Sequence, residues 1–164
     1  MGKGTIYQYF KDKNELFFQV ATSGFEELCE LLRQRVPSDA PFAEQLVDVC
    51  NEILRFFEGR RQLFRMMQSE DARMRWCKGE TRKRWTENRH KLEAAVALVI
   101  KGGVSEGAIR SDIAPDILAS FLLGLLRTRA HRVVQAPESA EPLKVLVDLF
   151  CYGAGRRGTE AVKE

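Results

Sequence analysis

Cysteine and histidine are the side chains of this 164-residue sequence best suited to nucleophilic or metal chemistry, and their spacing leaves them little scope. Cys29, Cys50, Cys77 and Cys151 stand far apart and form no Cys-x-x-Cys pair. Only His90 and His131 offer imidazole, and neither lies at a zinc-like distance from two cysteines. Each cysteine falls inside a helical pattern, where a free thiol usually serves as a small buried apolar group. Structural thiols in a reducing cytoplasm are therefore expected, with no metal and no cofactor. No carboxylate pair or nucleophile–base arrangement argues for an enzyme. Gly2-Lys3-Gly4-Thr5 lacks the upstream glycine and the Gly-Lys-Ser/Thr order of a phosphate-binding loop.

The chemistry that does stand out is that of nucleic-acid contact. Between Gly2 and Phe17, Thr5, Tyr7, Gln8 and Tyr9 supply hydroxyls and an amide, and Lys3, Lys11 and Lys13 supply charge. Short polar groups reach base edges while Lys and Tyr hold phosphates, so the mixture suits a helix laid in a groove of DNA. It equally describes a solvated surface with Ile6 and Phe10 turned inward. A second basic stretch, 73–91, holds eight Lys or Arg against two Glu, interleaved with Trp76 and Trp85. Its charges fall all around a helix, which a solvated face explains better than a stacking platform.

The elements that must position these residues are helical throughout. Asp12 to Glu15 reads as a capping box that opens a long helix, ended by Val36-Pro37-Ser38-Asp39. Leu16, Val20, Leu28 and Leu32 trace one face of it, and Phe18, Phe25 and Cys29 a second. A helix over 41–58 turns Phe42, Leu46, Val49, Cys50, Ile53, Leu54 and Phe57 inward. A short helix at 62–68 and a polar one at 71–101 follow, the latter ended by Gly102-Gly103 and Gly107. Pro115 fits the first turn of the next helix, and a last one carries Leu143, Leu146, Val147 and Phe150 on one side and Val145, Leu149 and Tyr152 on another. No alternating strand pattern survives, so the fold class is all-α, a helical bundle.

Composition agrees. Apolar residues make up 45% and charged residues 30%, a globular profile. A net charge of +3 permits a nucleic-acid partner without requiring one. The longest near-continuous apolar run, 117–126, is half the roughly 20 residues a membrane span needs, and no signal peptide is recognisable, so a cytoplasmic protein with no membrane partner is expected. The last two helices carry apolar residues on more than one face, and either close the monomer's own core or pair with a second copy.

The stretch from Gly2 to Phe17 closely resembles the recognition helix and following helix of TetR-type transcriptional regulators, whose pattern runs G-x-x-K-G-T-hydrophobic-Y-x-Y/H-F-x-x-K-x-x-L. Gly103-Val104-Ser105-Glu106-Gly107-Ala108-Ile109-Arg110-Ser111-Asp112 is similar to that family's G-x-x-x-G-x-I-R-x-D turn. The resemblance implies a ligand-responsive DNA-binding regulator, a repressor by family habit. Its alternative is a helical ligand-binding or dimerisation module with no DNA role. Carried over residue by residue, Lys3, Thr5, Tyr7 and Gln8 face the major groove of double-stranded operator DNA, and Tyr9 and Lys13 hold phosphates.

The same resemblance divides the chain into a remnant of the helix-turn-helix head at 1–35, a ligand-binding and dimerisation domain at 36–155, and a frayed tail at 156–164. It implies a pocket for a small lipophilic effector, lined by Phe56, Phe57, Phe64, Met67, Met74, Trp85 and Phe121. It also implies a homodimer formed through Phe121, Leu122, Leu125, Leu146 and Phe150. Members of the family carry two further helices before the recognition helix, and Met1 falls where their pattern usually has Val. The expectation is that the gene starts upstream, and that the chain as given binds DNA poorly because a lone helix of this length is marginal in water.

Overall fold

The computed structural model describes residues 13–61, 80–135 and 142–154. They form five helices: α1 (Lys13–Arg35), α2 (Phe42–Gly59), α3 (Glu80–Ser105), α4 (Pro115–Gln135) and α5 (Leu143–Ala154). Among the described residues there is no strand, as the all-α expectation requires. The expected short helix at 62–68, the segment 71–79 and Cys77 lie outside them.

α3 is the central element, packed on α1, α2 and α4, while α5 closes the bundle against α2 and α4. The periodic apolar positions meet in one core that includes Leu28, Leu46, Ile53, Val96, Ile100, Leu122 and Leu126. Burial of side chains of this size is worth about 1.5–3 kcal/mol each, the main force joining the helices.

Polar ties set how α1 and α2 lie together. The carboxylate of Glu52 is buried and accepts from Arg35 and Arg55, each at 3.0 Å. Arg60 pairs with Glu27 and stacks 4.3 Å above the Phe56 ring.

The turn between α3 and α4 corrects one expectation. Gly102-Gly103 does not end α3, which runs on to Ser105. The stop is Gly107, whose φ of 76° is the left-handed conformation that only glycine adopts without strain. The Ala108 amide donates to the Gly103 carbonyl at 2.9 Å and the Gly107 amide to the Val104 carbonyl at 3.1 Å, the paired bonds of a Schellman cap.

Gly103 has another task. A Cβ placed on it would lie 2.6 to 2.7 Å from three carbons of the Phe42 ring, so its lack of a side chain lets α3 touch the start of α2. Glu106 finishes this joint. Pro41 provides no side-chain cap to α2, and the Phe42 amide instead donates to both carboxylate oxygens of Glu106, at 3.1 and 3.2 Å.

Candidate ligand-binding core and dimerisation face

Aromatic side chains concentrate on the α1 side of the bundle. Trp85 on α3 is buried and meets Phe18 and Phe25 of α1 edge-on, with ring centroids 6.0 and 5.1 Å apart. The buried location of Trp85 ends any role as an exposed base-stacking platform, whereas Arg82, Lys83, Arg84, Arg89 and Lys91 around it are exposed. Two uncharged polar residues share this region's helices and are buried, Thr22 on α1 and Asn88 one turn after Trp85. Phe56 is buried on α2, with the half-buried Phe57 ring 5.5 Å away.

Of the expected pocket lining, the structure thus turns Phe56 and Trp85 inward and leaves Phe57 half-buried. Phe121 departs from it: the ring projects outward from α4 and is 60% exposed. Its neighbour Leu122, one helical step of 100° away, takes the inward position instead. Phe64, Met67 and Met74 lie outside the described residues. Phe18 and Phe25 were read from the sequence only as part of a second apolar face of α1, and Thr22 and Asn88 were not singled out. A shallow groove of about 330 Å³ runs along the solvent side of α3 past Arg82, Lys83, Thr86, Glu87 and His90, away from these aromatics.

The expected dimerisation residues also divide. Leu122, Leu146 and Phe150 are buried in the chain's own core and present nothing to a second copy. Phe121 is exposed and Leu125 half-exposed. The outer face of α4 and α5 is built instead from Ile117, Phe121, Leu125, Val145, Leu149 and Tyr152, with Leu149 63% and Tyr152 89% exposed.

The described cysteines are free thiols. Burial pushes Cys50 up to about 12, with the nearby Cys151 adding to the effect, and burial raises Cys29 and Cys151 as well. They are neutral packing groups at physiological pH. Among the described residues no group of three or more His, Cys, Asp or Glu is placed to hold a metal ion, and no helix is long and apolar enough to cross a membrane. Of the expected DNA contacts, Lys3, Thr5, Tyr7, Gln8 and Tyr9 lie outside the described residues, and Lys13 is the first residue of α1.

Residues 39–131, most of α2 to α4, match the tetracyclin repressor-like, C-terminal domain family. The chain belongs to this family. A curated relative, an uncharacterized HTH-type transcriptional regulator of Bacillus subtilis called YhgD, is 28% identical over 129 residues. That alignment takes in 76% of this chain and 63% of YhgD, so the chain spans less than two thirds of its relative. Among solved structures, the TetR family transcriptional regulator PfmR from Thermus thermophilus superposes with a TM-score of 0.74 at 19% identity, covering 95% of this chain and 84% of PfmR. The transcriptional regulator FadR from Bacillus subtilis, solved with stearoyl-CoA, gives 0.71 at 18%, covering 93% and 80%. Such identities establish a shared fold. For this tetracyclin repressor-like chain the family match takes in Phe56 and Trp85, while Phe18 and Phe25 of α1 precede it.

Proposed function

We propose that this chain is the effector-binding and dimerising part of a TetR-type repressor, released from operator DNA by a small lipophilic molecule. The observation that carries the reading is the family match over 39–131, which takes in α2, α3 and most of α4 and so includes the buried Phe56 and Trp85. An apolar cluster on helices that also bury Thr22 and Asn88 has the composition of a site for an acyl or aromatic ligand bearing one polar group. The FadR structure supports this choice, since stearoyl-CoA, the ligand in that complex, joins a long acyl chain to a polar carrier. The exposed face of α4 and α5 joins two copies. DNA contact falls to the N-terminal segment, with Lys3, Thr5, Tyr7 and Gln8 at base edges and Tyr9 and Lys13 at phosphates.

The test is fluorescence anisotropy of labelled promoter DNA from its own locus. It is titrated with this chain and with a form extended upstream by two helices, at low and moderate salt. Binding by the extended form, weakened by salt and reversed by stearoyl-CoA or another long-chain acyl compound, is the expected result. No binding by either form would favour a ligand-binding module without a DNA role. Equal binding by both would move the contact to the basic surface of α3.

A further inference from the structure

Gly124 stands near the middle of the 21-residue α4, and a Cβ built on it meets nothing within 4 Å. Glycine inside a helix costs about 0.5–1 kcal/mol relative to alanine. Among the described residues no contact at Gly124 offsets that cost. The other glycines with open surroundings, Gly59, Gly102 and Gly153, lie at or close to helix ends, where glycine is ordinary. Gly124 has no such reason. It shares a face of α4 with Phe121 and Thr128, three and four positions away, and with Ile117, two turns back, so an open notch sits beside the exposed Phe121 ring.

Knob and notch on one face form a self-complementary pair. We propose that two copies of this chain dock with Phe121 of each seated on Gly124 of the other. The two α4 helices then cross antiparallel about a two-fold axis passing between positions 122 and 123. The inference rests on the dimer reading above and names the contact that decides which chains pair. In an interface between identical chains, a contact from i to j is repeated from j to i, which the Phe121–Gly124 pairing satisfies.

The antiparallel crossing also sets Asp116, in the acidic first turn of one helix, level with the basic Arg127–Arg132 end of the other, so charges of opposite sign meet at the rim. α5 packs beside α4 and extends the face with Val145 and Leu149. Two adjacent helices, about 30 and 18 Å long, supply surface on the scale of the about 800 Å² per partner that a standard interface needs. A second copy is the occupant that matches both knob and notch. A related chain with a bulky residue at the notch is sterically refused.

The test compares sedimentation equilibrium of the parent chain with Phe121→Gly, Gly124→Phe and the swapped double variant that carries both. The swap preserves composition, and the open surroundings of Gly124 let the folded monomer accept the larger side chain, which thermal melts followed by circular dichroism verify. Each single change is expected to raise the dimer dissociation constant, Gly124→Phe by about 100-fold and Phe121→Gly by about tenfold, and the swap to recover to within about tenfold of the parent. If both singles dissociate the dimer and the swap fails to restore it, the face is the interface but the Phe121–Gly124 pairing is wrong. A parent chain monomeric at tens of micromolar (the range suited to this measurement) would overturn both the pairing and the dimer reading, and singles that leave the dimer intact would overturn the pairing.

Discussion

Gly103 and Gly124 belong to adjacent helices and have opposite surroundings. The first is pressed against the Phe42 ring, at a joint that the chain completes by itself with Glu106 as cap and Gly107 as stop. The second faces open space beside an exposed phenylalanine. The same residue type thus marks a finished contact in one place and an unfinished one in the other. What separates them is whether the chain's own packing accounts for the missing side chain.

The comparison breaks most visibly at the closed joint. Gly103→Ala forces a methyl group into the buried Phe42 ring and is expected to lower the unfolding free energy by about 2–3 kcal/mol in urea titrations. A loss under about 0.5 kcal/mol would mean that Phe42 swings aside and the joint is loose.

The buried Cys50 thiol, two turns further along α2, gives the closed core a pH signature. Its folded value of about 12 stands above the ordinary 9.0, so the folded state holds this proton more tightly than the unfolded state. That contribution is complete below pH 9.0 and is lost progressively as pH rises towards 12. At pH 10.5 the loss is expected to reach about 2 kcal/mol, and Cys50→Ala should flatten that part of the stability–pH curve. An unchanged slope in Cys50→Ala would show that the thiol titrates freely.

Removing the carboxylate cap with Glu106→Ala should cost about 1 kcal/mol, and Glu106→Gln, which keeps an acceptor for the Phe42 amide, distinctly less. Equal losses would mean that charge, not hydrogen bonding, is what α2 requires.

The smallest effect belongs to the open side. In dilute protein, with the copies separated, Gly124→Ala is expected to leave stability unchanged or raise it by up to about 1 kcal/mol. A loss as large as that of Gly103→Ala would erase the distinction between the two glycines.

Much of this architecture was legible in the sequence, because a continuous apolar stripe leaves a helix few choices. Phe42, Leu46, Val49, Cys50 and Ile53 are all buried along α2 as their spacing predicts. α4 was harder. Ile117, Phe121 and Leu125 form one apolar stripe and Leu118, Leu122 and Leu126 another, about 100° apart. Periodicity does not say which of the two a neighbour covers. α3 and α2 bury the second stripe, so Leu122 became core and Phe121 became surface. The Gly102-Gly103 pair misled for a related reason, since a glycine needed for a distant contact has the same letter as one that ends a helix. The aromatic region shows the same limit: Trp85 lay in a basic stretch, and only the α1 helix reveals that Phe18 and Phe25 enclose it.

The carboxylate that caps α2 comes from a residue 64 positions further along the chain. During synthesis at about 5–20 residues per second, the Phe42 amide therefore precedes its acceptor by several seconds. Over that interval α2 has neither its cap nor the α3 backbone against which Phe42 packs, and its first turn is expected to fray on the nascent chain. A ribosome-stalled series that ends before and after Glu106 would see the start of α2 become resistant to protease only in the longer chains.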